Sequence, residues 1–269
     1  MWFCCLALFA LVDGTTPLHH AADSDDLETA RRLVRSGASV KAANRYGVTP
    51  LSIACTNGNG AMVELLLKAG ADSNTALPGG ETALMTAART GKVDAVKALV
   101  SHGADVNAKE PRRGQTAIMW AAAEGHVETV EALVQAGADF RARLNSGFTP
   151  FFFAVRHGHI GVVRSLLKAG VNVNEVIQTT QNTSSGLASG SGSPRPGTSP
   201  LVMAVTNAHF ELAASLLEAG ADPNAAGGGY TALHALSWVR KSGGGDNDPV
   251  PQGSGAISSL QLAAKLAAH

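Results

Sequence analysis

The feature that most constrains this chain is a tripeptide that keeps returning. Thr-Pro-Leu, or a close relative, begins at Thr16, Thr49, Thr82, Thr116, Thr149, Ser199 and Thr231, at spacings of 33, 33, 34, 33, 50 and 32 residues. A second series, Gly37, Gly70, Gly103, Gly137, Gly170 and Gly220, follows the first six starts by 21 residues each time. Two series in phase argue against chance. A period of this size points to an architecture in which each unit buries its apolar face against the next.

Within one unit the local chemistry spells two helices and a turn. Thr or Ser followed by Pro, as at Thr16-Pro17, Thr49-Pro50, Thr149-Pro150 and Ser199-Pro200, suits a helix start. The hydroxyl accepts an orphan N–H, and proline at the first helical position gives up a donor that has no partner there anyway. A short alanine-rich helix follows, then a glycine turn at Gly91, Gly125 or Gly158. The second helix carries apolar residues at helical spacing, such as Val127, Val130, Leu133 and Val134, and stops at the second glycine series, as a left-handed cap requires. Ala-Asp-x-Asn and a turn then lead to the next start.

The 33-residue period, the run Thr16 to Ala22 (T-P-L-H-H-A-A), the Gly-His pairs at Gly125-His126 and Gly158-His159, and the terminal Gly-Ala-Asp-x-Asn together resemble the ankyrin repeat family over residues 13–269. The resemblance implies an all-α fold: an α-solenoid of about seven ankyrin-type helix-turn-helix repeats with short β-hairpin tips. It implies that histidines such as His19 and His234 hydrogen-bond neighbouring backbone.

The repeats divide the chain into an apolar N-terminal segment (1–12), repeats one to five (13–175), a Gly/Ser/Pro-rich insert (176–197) and repeats six and seven (198–269). The seventh is interrupted by a loop at 241–255, and the chain ends where the next capping glycine is expected. The run MWFCCLALFALV is too short for a membrane span. It is read as a cap on the first repeat or as a signal-like core. A cytoplasmic location is favoured, with export through this segment as the alternative.

Composition removes several function classes. Twenty-one Lys and Arg balance 21 Asp and Glu, which argues against a nucleic-acid binder. Three cysteines without CxxC spacing give neither a disulfide scaffold nor a thiolate zinc site. His157 and His159 form an H-x-H pair without a third ligand nearby in sequence. Asp246-Asn247-Asp248 lacks the glycine and glutamate of an EF-hand loop, and Gly58-Asn59-Gly60 follows a helix rather than a strand. Asn182-Thr183-Ser184 is a glycosylation sequon. No catalytic motif is present, so neither an enzyme activity nor a cofactor nor a metal is expected.

What remains is a surface. In the ankyrin fold the tips and the exposed side of each first helix line a concave groove. Register assigns Arg45, Tyr46, Arg89, Lys109, Arg112, Arg113, Arg143, Phe148, Arg156, Tyr230 and Trp238 to that groove as partner-binding residues. From repeat three to five the groove holds six basic residues against Glu81, Glu110 and Glu124. Trp120, Phe151 and Phe153 are assigned to the core. The expected function is a non-catalytic protein–protein interaction module, monomeric, whose partner carries an acidic surface. The alternative is the regulatory or targeting portion of a larger enzyme or secreted effector.

Overall fold

The structure, a computed structural model, describes residues 13–178, 195–226, 229–239 and 256–268, apart from the side chain of Trp238. The apolar leader, the middle of the insert with the sequon, and the interruption of the seventh repeat with Asp246 to Asp248 lie outside the described residues. The chain divides into two compact units, Met1–Asp139 and Phe140–His269.

In the first unit the helices come in pairs: α1 (Pro17–Asp23) and α2 (Leu27–Arg35), α3 (Pro50–Asn57) and α4 (Gly60–Lys68), α5 (Ala83–Arg89) and α6 (Val93–Ser101), α7 (Ala117–Glu124) and α8 (Val127–Gln135). First helices pack in a row, α1 on α3 on α5 on α7, and second helices in a parallel row, α2 on α4 on α6 on α8. The second unit holds α9 (Pro150–His157), α10 (Ile160–Lys168), α11 (Pro200–Thr206), α12 (Phe210–Glu218), α13 (Ala232–Val239) and α14 (Ser259–Ala268). There α9, α11 and α13 stack in the same manner, and α12 packs on α14. Both units are helix-turn-helix solenoid.

Small residues set the spacing of the rows. Ala22, Cys55 and Ala88 hold one register of successive first helices, and each is 0% exposed. A methyl-sized side chain lets the next helix approach closely without a void. Burial also pushes the Cys55 thiol up to about 12, so it stays protonated and inert.

Helix ends are closed as the local sequence dictates. Thr49 Oγ1 accepts the Ser52 N–H at 3.2 Å, and Ser52 Oγ accepts the Thr49 N–H at 2.9 Å, which satisfies two orphan donors at the start of α3. At the end of α4, Gly70 has φ +91°. Its N–H bonds Leu67 O and the Ala71 N–H bonds Leu66 O, both at 2.9 Å, and only glycine reaches that conformation without strain.

The tips are turns rather than strands. Asn44 N–H meets Val48 O at 3.0 Å and Leu77 N–H meets Glu81 O at 2.9 Å, while an isolated antiparallel bridge joins Ala76 to Thr82. From tip to tip runs a ladder of asparagines. Asn74 Nδ2 donates to Gly103 O at 3.2 Å, and its Oδ1 accepts the Asp105 N–H at 2.7 Å. Asn107 makes the same two bonds to Gly137 O and the Asp139 N–H.

The two ends of the insert are pinned to each other. Ile177 is 1% exposed, its N–H donates to Thr198 O at 3.0 Å, and its carbonyl accepts the Gly197 N–H at 2.8 Å. The extra residues therefore leave the repeat at a tip, and Ser199-Pro200 starts α11 in the usual way.

Candidate functional site

The face formed by the tips and the outward side of the first helices is the candidate site, and each unit presents its own. In the first unit the second tip exposes Arg45 and Tyr46. The Arg45 guanidinium lies 4.7 Å from the Tyr46 ring centroid and donates to the phenol oxygen, which holds both side chains in one shape. In the third repeat Arg89 donates to Glu81 at 3.3 Å, and its guanidinium carbon lies 6.0 Å from the Trp120 ring.

The fourth tip is organised around Glu110. This carboxylate is 7% exposed and accepts the N–H groups of Arg112 and Arg113 at 2.6 Å each and that of Gln115 at 3.3 Å. Desolvation would raise its pKa, but the backbone donors of Arg112, Gln115 and Arg113 together hold it below the usual glutamate value. Glu110 is therefore part of the scaffold of the turn and not a groove charge, which corrects the charge count drawn from register alone. Lys109, Arg112 and Arg113 project from the turn, all exposed.

Trp120 and Phe153 are not core residues. Both are half-exposed, four residues after their helix start, in the register of His20 and Ile53. That register is exposed or half-exposed at His20, Ile53, Trp120 and Phe153 but buried at Thr86, Met203 and Ala235, whereas Phe151 is 0% exposed, as expected. Hydrophobicity alone assigns all three inward.

In the second unit two expected contacts change role. Phe148 is 5% exposed and packs on Phe153 and Phe152 at centroid distances of 5.2 and 6.2 Å. It belongs to the core, as do Gln115 and Thr198, which also precede a helix start and are buried. Arg143 donates to Gly147 O at 3.2 Å and Val176 O at 3.3 Å, and lies 3.9 Å from Glu175. It ties two tips together and so serves the fold. Burial raises the Glu175 pKa, against the lowering effects of the Thr149 hydroxyl, Arg143 and Arg141. Arg156 is exposed, 5.7 Å over the Phe148 ring, and Tyr230 is half-buried. The Trp238 side chain lies outside the described residues.

The histidines are built into the stack. His19 Nδ1 accepts the Thr16 N–H at 3.1 Å and its Nε2 donates to Val48 O at 2.9 Å, across to the next repeat. His126 Nε2 donates to Arg89 O at 3.0 Å, and its ring covers Gly91, where a Cβ would lie 2.6 Å from Nδ1. His157 and His159 stack at 6.0 Å. Among the described residues no three His, Cys, Asp or Glu side chains gather as a metal would need, and no helix is long and apolar enough to cross a membrane.

Comparison with known families agrees with this geometry. The family description "Ankyrin repeats (3 copies)" matches residues 4–77 and 84–177, and "Ankyrin repeat" matches residues 197–227. The chain belongs to the ankyrin repeat family. No curated protein sequence matches it. Among solved structures it is similar to the ankyrin repeat domain of Bcl-3, described as a unique member of the IkappaB protein family, at 28% identity. The match covers 83% of this chain and 94% of that one, with a TM-score of 0.66. The human ASB11 ankyrin repeat domain matches at 22% identity over 94% of this chain and 97% of that one, with a TM-score of 0.70, which speaks to the fold. Ankyrin repeat domains in general mediate protein–protein interaction, and the fold is typically a non-catalytic interaction module.

Proposed function

We propose that this ankyrin repeat protein is a monomeric, non-catalytic module. Its first unit holds a protein partner of acidic surface on the face made by its tips and the outward sides of its first helices. The observation that carries this reading is the fourth tip. Lys109, Arg112 and Arg113 are exposed and form no close ion pair among the described residues, while the buried carboxylate beneath them accepts backbone N–H groups and feels the Arg112 charge at longer range. Arg45 and Tyr46 on the second tip and half-exposed Trp120 on α7 supply residue types that dominate binding energy at protein interfaces.

Charges at the rim of an interface act chiefly on the rate of encounter. Arg112→Glu with Arg113→Glu should slow association with a partner recovered on the full chain by roughly tenfold at low salt, and flatten its salt dependence. The fold should stay intact, since both side chains are in solvent. Unchanged association kinetics would refute the placement, and the insert would then be the next segment to test.

A further inference from the structure

Stacking in this chain uses three registers of each first helix: the second, third and sixth residues after the Thr or Ser start. Five repeats have a successor within their own unit. In these the second-residue register (Leu18, Leu51, Leu84, Phe151, Leu201) is at most 1% exposed. The third-residue register (His19, Ser52, Met85, Phe152, Val202) is at most 6% exposed, and the sixth (Ala22, Cys55, Ala88, Val155, Val205) is 0% exposed. In the seventh repeat the same registers hold Leu233, His234 and Ser237. All three are exposed, Leu233 at 50%. The sixth repeat packs on α13 and α14 from the other side, where Ala235 is 0% and Leu236 2% exposed. The exposed registers therefore lie on the face turned away from it.

A second helix tells the same story. Leu260, on α14, is 63% exposed. Counting back from the glycine series, it occupies the register of Gly60, where an added Cβ would meet Asp94 Cβ of the following repeat at 2.8 Å. That register faces the successor.

His234 adds a polar observation that is independent of apolar exposure. In the first repeat the His19 ring is fixed by Thr16, with Thr16 Oγ1 at 2.8 Å from Nδ1, so that Nε2–H reaches the Val48 carbonyl, just before the start of the next repeat. His234 repeats the first half of this arrangement, with Thr231 Oγ1 at 2.9 Å from its Nδ1. Its Nε2 has no partner among the described residues. The ring is held ready to donate to the carbonyl that a successor would bring.

We propose that this face of the seventh repeat is a docking surface for one further ankyrin-type repeat. The occupant is a helical hairpin whose leading edge sets small apolar residues, in the register of Ala54, against Leu233 and Leu260. It also brings a backbone carbonyl, in the register of Val48, to His234 Nε2. The argument is continuity: the face carries on the repeat–repeat interface already made along each unit, in its apolar registers and its hydrogen-bond donor. A terminal cap would instead carry a polar outer surface here.

The test extends the full chain at its C terminus with a copy of residues 70–102, which supplies a capping glycine, a tip and both helices. Hydrogen exchange of the α13 amides should slow by at least about tenfold relative to the parent chain. Leu233→Glu should abolish that slowing and His234→Ala should reduce it. In the unextended chain Leu233→Glu should leave α13 exchange unchanged, because the side chain is already in solvent. If α13 in the extended chain exchanges as in the parent, the proposal is wrong. Sedimentation of the unextended chain supplies a second arm. Concentration-dependent dimers that Leu233→Glu dissolves would overturn the proposal by making a second copy the occupant. A monomer at all concentrations, together with the slowed exchange, supports it.

Discussion

The first unit keeps a spacing of 33 or 34 residues from start to start, whereas the second spans 50 between Thr149 and Ser199. The contacts that join successive repeats are nevertheless the same. Asn74 and Gly103 are 29 residues apart and Asn174 and Gly220 are 46 apart, yet the donor–acceptor distances are 3.2 and 3.1 Å. His126 meets Arg89 O over 37 residues and His209 meets Arg156 O over 53, both at 3.0 Å. The interface is therefore specified by register inside each repeat and not by the length of chain between repeats. Extra chain is tolerated at a tip because Ile177, Gly197 and Thr198 close the backbone bonds at its base, and because the entropy of a longer loop grows only slowly with its length.

If the two units obey the same register rule, equivalent substitutions should cost equally in both. The largest effect is expected in the second-helix core. Leu66 and Leu216 lie four residues before their capping glycines, and each is 0% exposed. Leu66→Ala and Leu216→Ala should each destabilise by roughly 2–5 kcal/mol in chemical denaturation. A cost at Leu216 of less than half that at Leu66 would show that the interrupted unit packs more loosely and would break the comparison.

A smaller effect isolates backbone strain. Gly70 and Gly220 have φ of +91° and +90°, and an added Cβ would meet nothing within 4 Å at either. Gly70→Ala and Gly220→Ala should therefore each cost only the left-handed penalty, about 1 kcal/mol. Unequal values would mean that one cap shifts to relieve the strain.

Much of this was legible in the sequence because its causes are local. Thr-Pro starts, glycine caps and alanine registers each follow from a residue's own sterics or hydrogen bonding, and the period repeats the evidence. The candidate face was less legible because it depends on which side of a short helix meets a neighbour. Trp120 and Phe153 are as apolar as true core residues and yet stay half-exposed, while Thr86 and Met203 at the equivalent position are buried. Phe148 and Arg143 sit on tips, where exposure is the usual expectation, but one fills a ring cluster and the other bonds two carbonyls. Charge counting likewise cannot see that three N–H groups fold around Glu110.

Two rungs of the ladder depart from the rule, at Lys41 and Arg141, and the second can be repaired. Arg141 stands where Asn74, Asn107 and Asn174 stand in other repeats. It donates to Gly170 O at 3.1 Å, but a guanidinium has no acceptor to offer the N–H of Asn172. Arg141→Asn should restore the second bond and raise stability by about 0.5–1 kcal/mol, read from the shift in the urea midpoint. A fall in stability would mean that the Arg141 cation, 5.2 Å from the Phe140 ring and in the field of Glu175, contributes more than the missing bond.

The smallest expected effect contrasts two tip glutamates with opposite environments. Glu110 ionises more readily in the folded chain than its ordinary 4.5 implies, because backbone donors outweigh its desolvation. It adds stability above that value, and the contribution is lost as pH falls through its lowered pKa. Glu175 is the reverse, since desolvation outweighs Thr149, Arg143 and Arg141 and raises its pKa above 4.5. What it contributes is present below 4.5 and is lost as pH rises through its raised value. Glu110→Gln should therefore flatten the loss of stability on acidification from pH 7, and Glu175→Gln should remove a small loss on the alkaline side of the same window. Each effect should be small, roughly a few tenths of a kcal/mol, because in each case desolvation and the opposing interactions largely offset one another. Denaturation midpoints across that pH range should thus move in opposite senses for the two variants. Slopes that change in the same sense would show that one of the two carboxylates is solvated differently in solution from its place in the fold.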